Sequence, residues 1–208
     1  MNQIAFINGV SFRFELVDNR LDITCIPKLL QPVQGNNCMV LFHERNRGKG
    51  RAIRTALEHV TGDVVVIQDA DLEYNPQEFL KMVKLINAGS SDVVYGSRNL
   101  DTNPPSGLTF YWGGKFLTWL TNVLYGGHLT DESTCYKMFR TSVIKSLNLR
   151  CERFEFCPEV TAKVLRRGFR IVEVPIKYSP RRKAEGKKIR WLDGLQAMWV
   201  LLRYRFFD

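Results

Sequence analysis

Residues 62–76 read G-D-V-V-V-I-Q-D-A-D-L-E-Y-N-P, and the fold turns on this stretch. Val64, Val65, Val66 and Ile67 form a short β-branched run that stops at two acids, Asp69 and Asp71. A run of that length and branching predicts a buried strand of a parallel sheet. The acids then fall at its carboxyl end, where open α/β sheets place their ligands. Only Ala70 separates them, and in extended chain residues two apart point to the same side. Two carboxylates on one side suit a hard divalent cation, Mg2+ or Mn2+. Glu73 continues the spacing and is a candidate third oxygen ligand.

Upstream, N-R-G-K-G at 46–50 leads into a segment with Ala52, Ile53, Ala56, Leu57 and Val60 at helical spacing. A glycine turn that opens a helix directs free backbone N–H groups outward, as a phosphate or nucleotide contact needs. A plain strand–helix turn is the other reading, and the turn lacks the first glycine and the Ser/Thr of a Walker A loop. Before it, residues 38–42 form an apolar run that predicts another strand of the main sheet. Residues 12–17 and 21–26 predict two short strands around a turn at 18–20, and 27–37 a loop.

Downstream, Pro76 opens a helix to about Asn87, closed near Gly89, and 92–96 is the next strand, running into Ser97 and Arg98. Strand, helix, strand, helix, strand implies right-handed crossovers and a Rossmann-like, mostly parallel α/β sheet flanked by helices. Arg98 falls just past a strand end, on the rim of Asp69 and Asp71. Residues 100–107 carry Pro104 and Pro105 and predict a loop. Residues 108–125 are rich in aromatics, with Lys115 the single charge. Gly113-Gly114 argues against one uninterrupted helix there, while 115–125 has a helical pattern. This segment fits a membrane interface or ordinary core packing. Residues 131–140 end in a strand-like tail, 158–167 predict a helix closed by Gly168, and 169–176 a strand. After a basic stretch at 181–190, residues 191–207 predict an amphipathic helix.

At 208 residues, 45% hydrophobic and 25% charged, the chain is long enough for one full core and ordinary for a globular protein. Its net charge of +9, concentrated in the C-terminal third, points to an anionic partner. Five cysteines, odd in number and without a C-x-x-C pair, argue against a disulfide framework or zinc site and for a reducing compartment. The start shows no signal-peptide pattern, and no apolar run reaches the roughly 20 residues that cross a bilayer.

Five pieces, in order, carry a resemblance: I-Q-D-A-D-L-E-Y, D-V-V-Y-G-S-R, C-Y-K-M-F-R, E-V-P-I-K-Y and E-G-K-K-I. With N-R-G-K-G, they make the chain resemble the family 2 glycosyltransferases of GT-A fold, of the dolichyl-phosphate mannose synthase and polyprenyl-phosphate glycosyltransferase type. The resemblance covers about residues 38–204. It implies a nucleotide-diphosphate sugar as donor, a polyprenyl phosphate as acceptor, and peripheral action at the cytoplasmic membrane face. Asp69 and Asp71 fall on the family's D-x-D metal motif, Glu73 where relatives supply a further ligand, and Arg98 on an arginine that contacts the acceptor phosphate. Arg181, Lys187 and Lys188 fall in a basic loop that closes over phosphates, and Asn46 and Lys49 in the turn beside the nucleotide.

Elementary chemistry agrees. A nucleoside diphosphate leaving group gathers charge as the glycosidic bond breaks, and unit charges 4 Å apart interact by roughly 4 kcal/mol at an effective dielectric near 20. Two aspartates facing a diphosphate without a cation repel it. A phosphate acceptor is already anionic and needs no strong base, so direct displacement with inversion is expected. Asp131 admits both a general-base and a structural reading. Glu159 reads as a fold contact, and His43, His59 and His128 show no ligand spacing.

The family's first strand, of the type V-V-I-P-x-Y-N-E, and the second, ending in an Asp-Asp or Asp-Gly turn, have no counterpart in residues 1–37. The expectation is an atypical N-terminal segment, 1–37, ahead of a GT-A domain, 38–208, that is N-terminally incomplete or altered. An alternative follows: a catalytically silent GT-A remnant or phosphate-binding module. Nucleic-acid binding finds no reading helix or aromatic sheet motif to support it.

Overall fold

The computed structural model describes residues 2–8, 11–18, 38–69, 73–104, 107–180 and 191–207, and of 2–8, 11–18, 38–40, 42, 108 and 109 the backbone alone. One sheet holds β1 (Asn2–Asn8), β2 (Ser11–Asp18), β3 (Cys38–Phe42), β4 (Val64–Asp69), β5 (Val93–Ser97), β6 (Lys137–Arg140) and β7 (Ile171–Pro175). Their spatial order is β3-β2-β1-β4-β6-β5-β7, which puts β4, expected as a buried strand, in the middle. Strands β2, β3, β4, β5 and β7 run one way and β1 and β6 run against them. Strand direction is thus mostly parallel, as expected, while the two opposed strands sit inside the sheet and make most neighbouring ladders antiparallel.

Near the N-terminus the strand expected at 12–17 is β2, and β1 ahead of it was not expected. Strand β2 pairs with the preceding β1, Asn8 opposite Ser11; residues 19–37, with the strand expected at 21–26, the loop at 27–37 and most of the turn at 18–20, lie outside the described residues. Strand β1 then lies antiparallel along β4, from Asn2 opposite Asp69 to Ile7 opposite Val64. Strand β3 extends the sheet beyond β2 in parallel. Strands β1, β2 and β3 thus belong to the same sheet as β4–β7.

Six helices are described: α1 (Lys49–His59), α2 (Phe79–Asn87), α3 (Leu108–Tyr125), α4 (Thr141–Ser146), α5 (Phe156–Arg166) and α6 (Trp191–Phe206). A 3-10 turn at Pro76–Glu78 leads into α2; its Asn75 side chain accepts from the Gln77 N–H at 3.0 Å, and Gly89 closes the segment at φ +68°, which glycine tolerates without strain. Helix α1 buries Ala52, Ile53, Ala56 and Leu57, and α2 buries Phe79, Met82 and Ile86. These faces join Val65, Ile67, Tyr95, Tyr136, Phe139 and the Phe156 and Val160 of α5 in one core. Each large apolar side chain so buried contributes about 1.5–3 kcal/mol. A second, smaller cluster joins Ala162 of α5, Val200, Leu201 and Tyr204 of α6, and Leu117, Leu120 and Leu124 of α3.

Helix α3 runs unbroken through Gly113 and Gly114, against the expectation of a break. Two interior glycines cost about 1 kcal/mol each relative to alanine. Packing of Leu117, Leu120 and Leu124 on α5 and α6 outweighs that cost. No described helix is long and apolar enough to cross a membrane.

Candidate active site

Strand directions decide where the chemistry gathers. The carboxyl ends of β3, β4, β5 and β7 and the amino end of β6 lie on one rim. That rim receives the turn at 46–50, Asp69 and Glu73, Arg98, the segment 131–136, and Tyr178. The open groove lined by Gly62, Asp63, Asn87, Arg140 and Thr141 lies at the opposite end of β4.

Asp69 closes β4, and Lys49, at the first position of α1, reaches it: Nζ stands 2.8 Å from Oδ2, with the lysine side chain 8% exposed. The same ammonium donates to the Cys135 Sγ at 3.5 Å. Burial alone lowers a lysine pKa, but the Asp69 carboxylate, helped by Cys135 and Cys157, outweighs it and holds Lys49 well above the ordinary range. Burial likewise works against the Asp69 carboxylate, and Lys49 outweighs it and lowers the pKa. The pair is therefore ionised. Asp69 Oδ1 is buried with no hydrogen-bond partner among the described residues. An unpaired buried carboxylate oxygen is costly, and a hard cation fits it. No group of three His, Cys, Asp or Glu assembles a metal site among the described residues; Asp71 lies outside them.

The turn at 46–50 had two readings, a phosphate contact and a plain strand–helix turn, and its packing supports the second. Two N–H groups at the start of α1 are taken up by backbone: Gly50 N donates to Arg153 O and Arg51 N to Glu152 O, each at 3.0 Å. Asn46, an expected nucleotide contact, caps the turn itself, its Oδ1 accepting from Gly48 N at 2.9 Å. The glycines serve close packing, since a Cβ on Gly48 would stand 2.3 Å from Glu152 O and one on Gly50 2.9 Å from Cys151 O. Among the described residues, the Lys49 side chain of the turn reaches Asp69.

Glu73 lies beyond Asp71. Its Oε2 accepts from the Tyr178 hydroxyl at 3.3 Å, and its carbonyl from Ser179 N at 2.9 Å. Burial, with the Glu73 carboxylate close by, pushes the Tyr178 phenol up to about 12. The other side of Tyr178 carries Arg98, whose guanidinium carbon lies 5.2 Å from the ring centroid. Arg98 grips Asp131 with two parallel bonds of 2.7 Å, Nε to Oδ2 and Nη2 to Oδ1, and its backbone N–H donates to Oδ2 at 3.0 Å. Such a fork is the strongest ion-pair geometry available to arginine. It supports the structural reading of Asp131: both carboxylate oxygens accept from Arg98, which places the residue to orient that guanidinium. Glu173 of β7 accepts from the Thr130 and Asp131 N–H groups at 2.7 and 3.0 Å and holds the loop in place.

Aromatic rings connect the two ends of the rim. Tyr74 stacks on Tyr136 at 4.6 Å and tilts against Tyr178 at 5.3 Å. The Tyr136 hydroxyl donates to Gln68 Oε1 at 2.5 Å, and Cys135 N to the Tyr74 hydroxyl at 3.5 Å. A continuous line of contacts thus runs from Asp69 through Lys49, Cys135, Tyr74 and Tyr178 to Arg98. The sequence reading passed over Cys135, Tyr74, Tyr136 and Tyr178 as site residues, although each stands inside a motif it quoted. The signal was there in a tyrosine at the end of both I-Q-D-A-D-L-E-Y and E-V-P-I-K-Y. Arg181, Lys187 and Lys188 lie outside the described residues. Glu159 is a fold contact, as expected: it accepts from Arg150 N, Cys151 N, Lys163 Nζ and the Tyr204 hydroxyl at 2.6–2.8 Å. It thereby fixes the 150–153 segment on which the glycine turn rests.

Among solved structures, the chain is similar to the glucosyl-3-phosphoglycerate synthase of Mycobacterium tuberculosis in complex with UDP, with a TM-score of 0.70 at 17% identity over 93% of this chain and 69% of that one. A complex of the same enzyme with Mn2+, UDP and glucosyl-3-phosphoglycerate gives 0.69 at 16%. The likeness shows the fold, GT-A. Among curated proteins, the chain is 31% identical to a UDP-N-acetylglucosamine–dolichyl-phosphate N-acetylglucosaminyltransferase of Methanococcus voltae, over 79% of this chain and 68% of that protein. It is 29% identical to an undecaprenyl-phosphate mannosyltransferase of Micrococcus luteus, over 69% and 64%. It is 27% identical to the low-salt glycan biosynthesis hexosyltransferase Agl6 of Haloferax volcanii, over 82% of this chain but only 42% of that protein's length. The model of glycosyl transferase family 2 matches residues 24–147, more than half of the chain, and the chain belongs to that family.

Proposed function

We propose that the protein transfers a sugar from a nucleotide-diphosphate sugar to a polyprenyl phosphate, with inversion, as a peripheral protein at the cytoplasmic face of a membrane. The observation that carries the reading is the line of contacts joining Asp69, where a donor diphosphate is expected, to Arg98, where an acceptor phosphate is expected. The relatives named for dolichyl-phosphate and undecaprenyl-phosphate transfer support the choice of acceptor.

In this reading Asp69, Asp71 and Glu73 hold Mg2+ or Mn2+, which offsets the charge that builds on the leaving diphosphate. The buried Oδ1 of Asp69, without a hydrogen-bond partner among the described residues, supports the assignment. Lys49 keeps Asp69 ionised and fixed, so the carboxylate needs little reorganisation when donor binds. Arg98 gives two of its N–H groups to Asp131 and keeps others for the acceptor phosphate. Because Asp131 locks the guanidinium, the acceptor oxygen meets the sugar carbon in a fixed orientation. Arg181, Lys187 and Lys188 supply further positive charge over the phosphates.

Calorimetric titration with UDP- and GDP-sugars, with and without Mn2+, tests the assignment. Metal-dependent binding that disappears in Asp71→Ala is expected, followed by transfer to a polyprenyl phosphate. Absence of binding to every nucleotide sugar, in a chain that is folded by circular dichroism, would sink it and leave the silent phosphate-binding module.

A further inference from the structure

All four tryptophans of the chain lie on two helices, and all four are more than half exposed: Trp112 at 66%, Trp119 at 57%, Trp191 at 73% and Trp199 at 57%. Tryptophan is normally well buried, so a full set on the surface calls for a physical reason. On α3 the exposed residues Trp112, Phe116, Trp119 and Val123 recur at steps of four, three and four, one face of the helix. The face away from this stripe is buried at Thr118 and Thr121, and the flanking Leu117, Leu120 and Leu124 pack against α5 and α6. On α6 Leu192, Leu195, Trp199 and Phe206 recur at three, four and seven, again one exposed face. The two helices pack together, with the Tyr125 hydroxyl donating to Leu201 O at 2.6 Å. Two packed helices therefore each present an exposed face of large apolar and aromatic residues, and contiguous exposed apolar surface marks an interaction site.

Charge narrows the choice of what covers them. Helix α3 contains no acid and α6 only Asp193, while Lys115, Arg203 and Arg205 lie among the aromatics. An open groove of about 450 Å3, lined by Val123, Tyr125, Arg166 and Arg205, adds guanidinium groups at the end of α3. A second copy meeting the same face would set these cations against each other. Aromatic rings interleaved with cations match the interface of a bilayer with acidic headgroups, where Trp and Tyr favour the headgroup level and each Lys or Arg adds to binding.

We propose that the outward faces of α3 and α6 dock the protein on an anionic phospholipid surface. The inference rests on the transfer reading for its purpose, and it adds the contacting face and the headgroup chemistry. It also gives the acceptor a route. Helix α3 is fastened to the segment that orients Arg98: Thr118 Oγ1 accepts from Glu132 N at 3.0 Å, and Asn122 exchanges two bonds with Leu129, at 2.8 and 2.9 Å. A phosphate carried in the docked bilayer is thus presented on the side of the molecule that holds Arg98.

The tryptophans supply the test, since no others exist in the chain to obscure the signal. Adding phosphatidylcholine–phosphatidylglycerol vesicles to the whole protein is expected to shift tryptophan emission to the blue, and brominated lipid to quench it. Trp112→Ser with Trp119→Ser lowers vesicle partition about tenfold. Arg203→Ala and Arg205→Ala each lower binding to acidic vesicles about fivefold, at roughly 1 kcal/mol per cation, and leave binding to pure phosphatidylcholine unchanged. Circular dichroism and nucleotide-sugar binding stay as in the unsubstituted chain. Emission that is already blue without lipid, emission indifferent to vesicles, or variants that bind vesicles as the parent does would each overturn the proposal. None of these readouts uses sugar transfer, so the two readings fail separately. Docking without transfer would refute only the activity, and transfer to a short, water-soluble acceptor without vesicle binding would refute only the docking.

Discussion

At the scale of the residue, the site depends on ionised pairs held by specific partners. Asp131 is 3% exposed and its two oxygens are filled by Arg98. Asp131→Ala leaves a guanidinium without its partner, and breaking a buried pair costs about 3–5 kcal/mol. Because Arg98 is 23% exposed, the lower end is expected, about 3 kcal/mol, as a lower urea midpoint at unchanged slope. A catalytic base would behave otherwise, with activity lost and stability kept. Glu159 gives a pH prediction. Burial raises its pKa, and the Lys163 ammonium with the Arg150 N–H more than reverses this, so the folded value lies below the usual 4.5. A carboxylate depressed by folding stabilises fully above its unfolded pKa and loses that contribution as pH falls through the folded one. Thermal melts from pH 6 downward are expected to show the parent losing stability below about pH 4.5, with Glu159→Gln less stable at pH 6 and less steep in acid.

At the scale of the element, glycines of opposite function can be told apart. Gly48, at φ +88° with Glu152 O in the path of a Cβ, does not admit a side chain. Gly48→Ala is expected to destabilise by about 2–3 kcal/mol, through left-handed strain and overpacking. Gly113 and Gly114 sit inside α3 with nothing within 4 Å of a Cβ. Alanine at either is expected to stabilise by about 0.4–1 kcal/mol; unchanged or lower melting temperatures for both would show that the helix is held by something other than its interior propensity. The glycine turn also shows where local sequence left two readings open. A glycine turn before a helix is compatible with anion binding and with close backbone packing, and local sequence contains nothing that separates them. The carbonyls that engage Gly50 and Arg51 come from residues about a hundred positions away, and only folding brings them there.

At the scale of the whole molecule, the sheet acts as a frame whose single rim collects segments from five parts of the chain. A ligand that binds only this assembled rim stabilises the fold by linkage, about 2.7 kcal/mol at a concentration a hundred times its dissociation constant. For a chain of this size that is a rise of about 5–10 °C in melting temperature. The shift is expected with Mn2+ and a nucleotide sugar together, and to be abolished by a chelator or by Asp69→Asn. A shift from Mn2+ alone, equal in Asp69→Asn, would place the metal elsewhere.

What the sequence by itself determined is local and periodic. The β-branched run ending at Asp69, the apolar spacing of α1 and α2, and the stops at Gly89 and Gly168 follow from neighbours a few residues apart, and these were legible. The motifs in their order determined the family, because chemistry at a rim requires the same residue types at the same strand ends. What only the tertiary structure decided is which groups meet. Asp131 finds Arg98 from 33 positions away, Lys49 takes up one oxygen of Asp69, and β1 lies between β2 and β4. Those pairings depend on strand direction and sheet order, which are set by burial summed over the entire core and leave no trace in any short window of the chain.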